Sequence, residues 1–322
     1  MRVELTVEVF TDPDDESGTH HYDPHDLYDL LRCFVHNRHD WVTNSLVVAA
    51  VEAFLPQHLP TLADTYVALA RKAAVGKDWT GTSQAGEVVR VGRADLGDYS
   101  ADLCQPAVLV VENQHSDGFF LHAVAHVFGH ERIITALRER WVEIHNGGGS
   151  SLVKVAEAAA ARYRRVVRVV ALLDSDRLIP RQRTGSHDKA DKLTKMKVAV
   201  HVLDRREAEN YVPYRVLAQA GRRPVASRRL AFLKRLTQDQ REHFDMKHGF
   251  KKVRPAVQAA QRDLFDALDL DVRLGLHDGF GQDLLQRMHN DRERLTEHDF
   301  AQLGDEVVAE LRALLATLAS RI

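Results

Sequence analysis

The chain reads as an α/β protein built on a parallel sheet flanked by helices, and three observations predict this. Between Pro106 and Tyr211, short apolar runs alternate with helix-like segments. Two of those runs, "AVLVV" and "VVRVVALL", are nearly unbroken, as in strands buried on both faces. Beyond Tyr211 no strand pattern recurs, so the chain is expected to finish in helices.

"RVELTVEVF" (Arg2 to Phe10) alternates polar and apolar residues and predicts a half-buried strand. "TDPDDESGTHHYDPHD" is a polar loop punctuated by Pro and Gly. From Leu27 to about Ala74, apolar residues recur at helical spacing, and Pro56 and Pro60 interrupt them, which predicts two or three helices. "VGKDWTGTSQAG" reads as a loop and "EVVRV" as a short strand. After Pro106 come a buried strand, "AVLVV", and one long amphipathic helix, "SDGFFLHAVAHVFGHERIITALRER". "WVEI" is a second strand, followed by "HNGGGSSL", a glycine turn into a helix with Ser150 or Ser151 as its cap. "VVRVVALL" is the third strand, "DKADKLTKM" a short helix and "VAVHVL" the fourth strand. The expected organisation is a mostly helical, acidic mixed α/β domain over 1–100, a catalytic α/β domain over 105–212 and a helical C-terminal region over 213–322.

The 322 residues are 44% hydrophobic and 28% charged, ordinary for a soluble globular protein with room for more than one domain. No apolar run reaches the length of a membrane span and no signal-peptide pattern opens the chain, so a cytoplasmic protein without membrane partners is expected. Two cysteines, Cys33 and Cys104, fit neither a disulfide framework nor a zinc cluster. The net charge of −2 conceals a strong asymmetry: residues 1–60 carry −8, 61–160 carry −3, 161–255 carry +15 and 256–322 carry −6. A basic stretch of that size in an otherwise acidic chain predicts a polyanion partner.

That stretch also holds "DSD" at the end of the third strand. Residues two apart on a strand share a face, so Asp174 and Asp176 are expected to project together. Ligands of parallel α/β sheets bind at this carboxyl edge, and Glu112 ends the first strand there too. Hard oxygen ligands gathered at one rim suit Mg²⁺ or Mn²⁺. "HNGGGSSL" lacks the Gly-Lys-Ser/Thr ending of a nucleotide phosphate loop. His122, His126 and His130 stand four apart but without an HExxH arrangement, so packing is expected of them.

Taken together, the glutamate after the first strand, the glycines after the second and the "DSD" after the third resemble the Toprim domain over roughly residues 105–212. "VVENQHSDGFFL", "RREAENYVP" and "FDMKHGF" are similar to segments of its OLD (overcoming-lysogenization-defect) nuclease branch. The gap between Glu112 and Asp117 is slightly longer than that branch's pattern. The resemblance implies a two-metal site of Mg²⁺ or Mn²⁺, with Glu112, Asp117, Asp174 and Asp176 as ligands and Glu207 or Glu209 completing the second position. Two such ions roughly 4 Å apart activate water and stabilise the leaving oxygen in phosphodiester cleavage. It further implies that Lys247 stabilises charge on the phosphate, while Arg205, Arg206, Lys251 and Lys252 track the nucleic-acid backbone. The implied function is DNA cleavage or nicking in defence against phages or plasmids, alongside a separate ATPase or sensor subunit, because the chain has no Walker motif. An RNA-processing nuclease, a non-catalytic binding module and a homo-oligomer are the alternatives the sequence leaves open.

Overall fold

The computed structural model describes residues 1–11, 23–79, 87–148, 150–251 and 257–322. The protein is α/β, with two parallel sheets flanked by helices. In the first sheet, β1 (Arg2–Leu5) lies between β2 (Asp40–Val42) and β3 (Val88–Val91). Every neighbour is parallel, so each connection must cross over, and helices supply the crossovers: α1 (Pro24–Val35), α2 (Ser45–His58) and α3 (Ala63–Trp79). A fourth helix, α4 (Leu96–Cys104), follows β3 and packs on α1.

The strand expected to run to Phe10 stops at Leu5. The Thr6 N–H still bonds the Val91 carbonyl, but Val9 N–H turns back to the Thr6 carbonyl and residues 7–10 form a 3₁₀ turn. The turn drives Val9 and Phe10 into the core, with Phe10 against Trp41 and Phe54. An alternating stretch satisfies either geometry, and burial of Phe10 decides between them. Pro56 lies inside the last turn of α2 rather than ending it. The polar loop over 12–22, part of the second predicted loop and Lys252 lie outside the described residues.

The second sheet has the order β5-β4-β6-β7, formed by β4 (Ala107–Val111), β5 (Val142–Asn146), β6 (Val169–Leu173) and β7 (Ala199–Val202), all parallel. Successive side chains of the two central strands divide between its faces. Leu109, Val111, Val170 and Leu172 join the core under α5 (Gln114–Val127), α6 (Glu131–Arg138) and the C-terminal helices. Val108, Val110, Val169, Ala171 and Leu173 pack with α7 (Leu152–Ala160) and α8 (Gly185–Lys195) on the other side. This is why β4 and β6 are apolar throughout.

The single long helix expected over this stretch is two helices. Gly129 adopts φ +65°, its N–H bonds the His126 carbonyl and the His130 N–H bonds the Ala125 carbonyl. This pair of bonds closes α5 with a left-handed glycine and redirects the chain into α6.

The two sheets meet at the end of α4. Asp102, fully buried, accepts the N–H groups of Arg164, Arg165 and Val166. Arg168, also fully buried, donates to the carbonyls of Asp102, Leu103 and Gln105. Hydrogen bonds between both buried charges and the backbone fix where β6 begins relative to α4.

Candidate active site

Glu112 follows β4 and Asp174 follows β6, so the two adjacent central strands deliver both acids to the carboxyl edge of the sheet. The segment after β7 brings Glu207 and Glu209, and the N-terminus of α5 brings Asp117. Asp174 is half-buried and its Oδ1 accepts the Ala208 N–H at 2.9 Å. Burial holds its carboxyl well above the usual aspartate range, reinforced by repulsion from Asp117, Glu209, Glu207 and Glu112. Burial likewise raises Glu112, with Asp176 as the leading repulsive neighbour. It raises Glu209 as well, which is 2% exposed, against the opposing pull of Lys247.

Lys247 is the cation inside this group. Its Nζ stands 3.2 Å from Glu207 Oε2 and 3.1 Å from Glu209 Oε1. Burial works against its charge, yet the two glutamates raise its pKa overall. The turn that carries it is pinned from outside the sheet: Phe280 N–H bonds the Met246 carbonyl and Gly281 N–H bonds the Lys247 carbonyl. Gly249, at φ +60°, makes this approach possible, since a Cβ there would lie 2.0 Å from the Leu276 carbonyl oxygen. Gly249→Ala is therefore expected to cost more than the ~1 kcal/mol of an average substitution, measured by urea denaturation.

Strand alternation is not what aims Asp176: the strand ends at Leu173 and Asp176 has φ +55°. Its carboxylate still acts on Glu112, which in turn acts on Asp174. Asp176 is exposed and accepts from Ser186 Oγ at 3.3 Å, at the start of α8. Asp117 belongs to the cap of α5: its Oδ2 accepts the Asn113 N–H at 2.9 Å and its Oδ1 accepts Ser116 Oγ at 3.1 Å. Burial nevertheless raises its pKa, against those hydrogen bonds.

Arg205 and Arg206 do not lie on a surface that could follow a nucleic acid. They are 3% and 9% exposed. Arg205 is spent on the Asn210 and Leu303 carbonyls and on Glu306. Arg206 stands behind Glu207, 3.2 Å from its Oε1, and also faces Asp245. A charge run reads as surface in a sequence, but these two arginines are internal counter-charges. Lys251 is exposed and lies 4.0 Å from Asp278.

One residue of the site escaped the sequence reading. Lys189, on the first turns of α8, lies 3.8 Å from Glu112 Oε1. The available signal was a lysine just inside a helix that starts from the carboxyl edge. Glu112 Oε1 itself is buried without a hydrogen-bond partner.

Among the described residues, no three acid, histidine or cysteine side chains are gathered closely enough to hold a metal ion as they stand. The donor set still fits a hard divalent cation: several half-buried carboxylates that raise one another's pKa, and a buried oxygen on Glu112 that accepts no hydrogen bond. His122 packs against the ring of His289, at 4.8 Å between centroids. Comparison of the chain with protein families, with curated proteins and with solved structures found no match.

Proposed function

We propose that the protein is a divalent-metal-dependent nuclease with a Toprim-like active site, of the OLD-like kind, acting on DNA. The observation that carries this reading is the cluster itself: Glu112, Asp117, Asp174, Glu207 and Glu209 converge around Lys247 at the carboxyl edge of a parallel sheet. Carboxylates confined in this way repel one another, and a fold that retains them has a use for cations there. Glu112, Asp174 and Asp176 would hold Mg²⁺ or Mn²⁺, with Glu207 or Glu209 at a second position. When bound, the metal supplies an activated water and neutralises the scissile phosphate. Lys247 contributes a fixed positive charge, and Arg206 holds Glu207 in place from behind.

Part of the basic stretch is engaged in surface ion pairs, since Arg164 and Arg165 pair with Asp98 and Arg183 pairs with Asp188 and Asp191. Exposed candidates for phosphate contact include Lys197, Arg228, Lys234 and Lys251, and on α8 Lys192 and Lys195 are exposed while Lys189 leads toward Glu112. Changing Lys192 and Lys195 to Glu is expected to weaken duplex binding and to flatten its salt dependence. Each lost phosphate contact should reduce the log–log slope by about 0.9. Titrations at several salt concentrations check this, and an unchanged slope would move the binding face elsewhere.

The decisive test is incubation of the purified chain with supercoiled plasmid and Mg²⁺ or Mn²⁺, with and without chelator. Nicking or linearisation that requires the metal supports the reading. Its absence, alone and with a partner ATPase, would overturn it. RNA substrates run in parallel distinguish the RNA-processing alternative.

A further inference from the structure

The chain's two cysteines, 71 residues apart, meet in the fold: Cys33 Sγ on α1 and Cys104 Sγ at the end of α4 are 3.5 Å apart. Both are free thiols. A disulfide requires ~2.05 Å between sulfurs, so the two must close by about 1.5 Å to bond. The surroundings are cationic. Arg38 donates to the Cys104 carbonyl at 2.6 Å and to the Gln105 carbonyl, and Arg168 is buried beneath them on the carbonyls of Leu103 and Gln105. Positive charge beside a thiol favours its thiolate, the reactive form. Contact with the Cys104 thiol, aided by Arg38 and Arg168 against burial, brings Cys33 down to about 7, while the same contact and burial push Cys104 up, so Cys33 is the thiol that ionises first. Cys33 is 7% exposed and Cys104 is half-buried.

We propose that Cys33 and Cys104 are a redox-active dithiol, converted to an intramolecular disulfide by oxidants of the peroxide class. The Cys33 thiolate attacks one peroxide oxygen, the O–O bond breaks and hydroxide leaves, taking up the thiol proton as water. Cys33 is then a sulfenic acid. The Cys104 thiol attacks that sulfur, the S–O bond breaks, and the second oxygen departs as water with the Cys104 thiol proton. Two thiols and one hydrogen peroxide thus give one disulfide and two waters. The product ties α1 to α4 beside the Arg168 clamp, where the first sheet is fastened to the second.

The test uses the full wild-type chain, treated with hydrogen peroxide, denatured, alkylated and weighed intact. The expected product has lost two hydrogens, takes up no alkylating agent and melts higher than the reduced chain, while it stays monomeric on a non-reducing gel; a dithiol reductant reverses the first three changes. In Cys104→Ser, a 1,3-diketone probe should trap the Cys33 sulfenic acid. Two thiols that remain fully alkylatable, that add oxygen separately as sulfinic or sulfonic acids, or that join different chains would each overturn the proposal. These wild-type readouts decide the matter even if the serine variant does not fold.

Discussion

Asp174→Asn is expected to abolish metal-dependent cleavage, by ~10³-fold or more, while raising the thermal stability of the metal-free protein. The loss of activity is on the scale seen when a preorganised charge-stabilising group is removed. The gain in stability follows from the environment. Asp174 is half-buried and faces Asp117, Glu209, Glu207 and Glu112, so its charge is unwelcome in the folded chain. A carboxyl whose pKa is higher folded than unfolded binds its proton more tightly when folded. Its stabilising contribution is whole below the ordinary aspartate range and is lost as pH rises through the folded value. The wild-type chain should therefore lose stability on going from acid toward neutral pH, and Asp174→Asn should flatten that decline. Asparagine also keeps an oxygen for the Ala208 N–H, which Asp174→Ala would leave unpaired, so the alanine variant should gain less. Thermal melts across pH, with chelator present, measure both effects. Retained cleavage together with a lower melting temperature would return Asp174 to a structural role.

Lys247→Ala carries the second large expectation, because it removes the cation between Glu207 and Glu209. Single-turnover cleavage should fall by ~10²–10³ with little change in substrate affinity. Stability without metal should also fall, by about 3 kcal/mol, the low end for stripping one partner from a buried ion pair, since Lys247 is itself partly exposed. Mg²⁺ should restore much of that stability in the variant, as a cation re-enters the acid cluster. Lys251→Ala is the control: it is exposed and faces Asp278, so binding weakens mildly and turnover at saturation is near normal. Equal, small effects from the two substitutions would reduce Lys247 to one more surface lysine.

The second sheet was legible in the sequence because fully buried strands leave continuous apolar runs, and "AVLVV" and "VVRVVALL" are such runs. β2 was not, since three residues, one of them an exposed aspartate, carry no periodicity. Glu112 and Asp174 could be placed at the sheet edge from strand ends alone. The orientation of Asp176 could not, because it depends on a left-handed backbone at a residue that is not glycine. Arg205 and Arg206 misled for a different reason. Their partners Leu303, Glu306 and Asp245 are 39 to 101 residues away, and composition does not reveal which charges a fold will bury. The cysteine pair was hidden in the same way.

The parallel first sheet also governs the order in which this chain can be completed during synthesis. β1 is its central strand, yet β1 pairs with β2 at Asp40 and with β3 only at Val88. At about 5–20 residues per second, the ribosome needs roughly 4–17 s to travel from β1 to its second partner. Throughout that interval Val3 and Leu5, fully buried in the finished protein, are uncovered beside an unpaired strand edge. A nascent chain that stalls before Val88 therefore presents an adhesive β edge, and the yield of intact protein should depend on how quickly translation passes that point or on a chaperone that waits there.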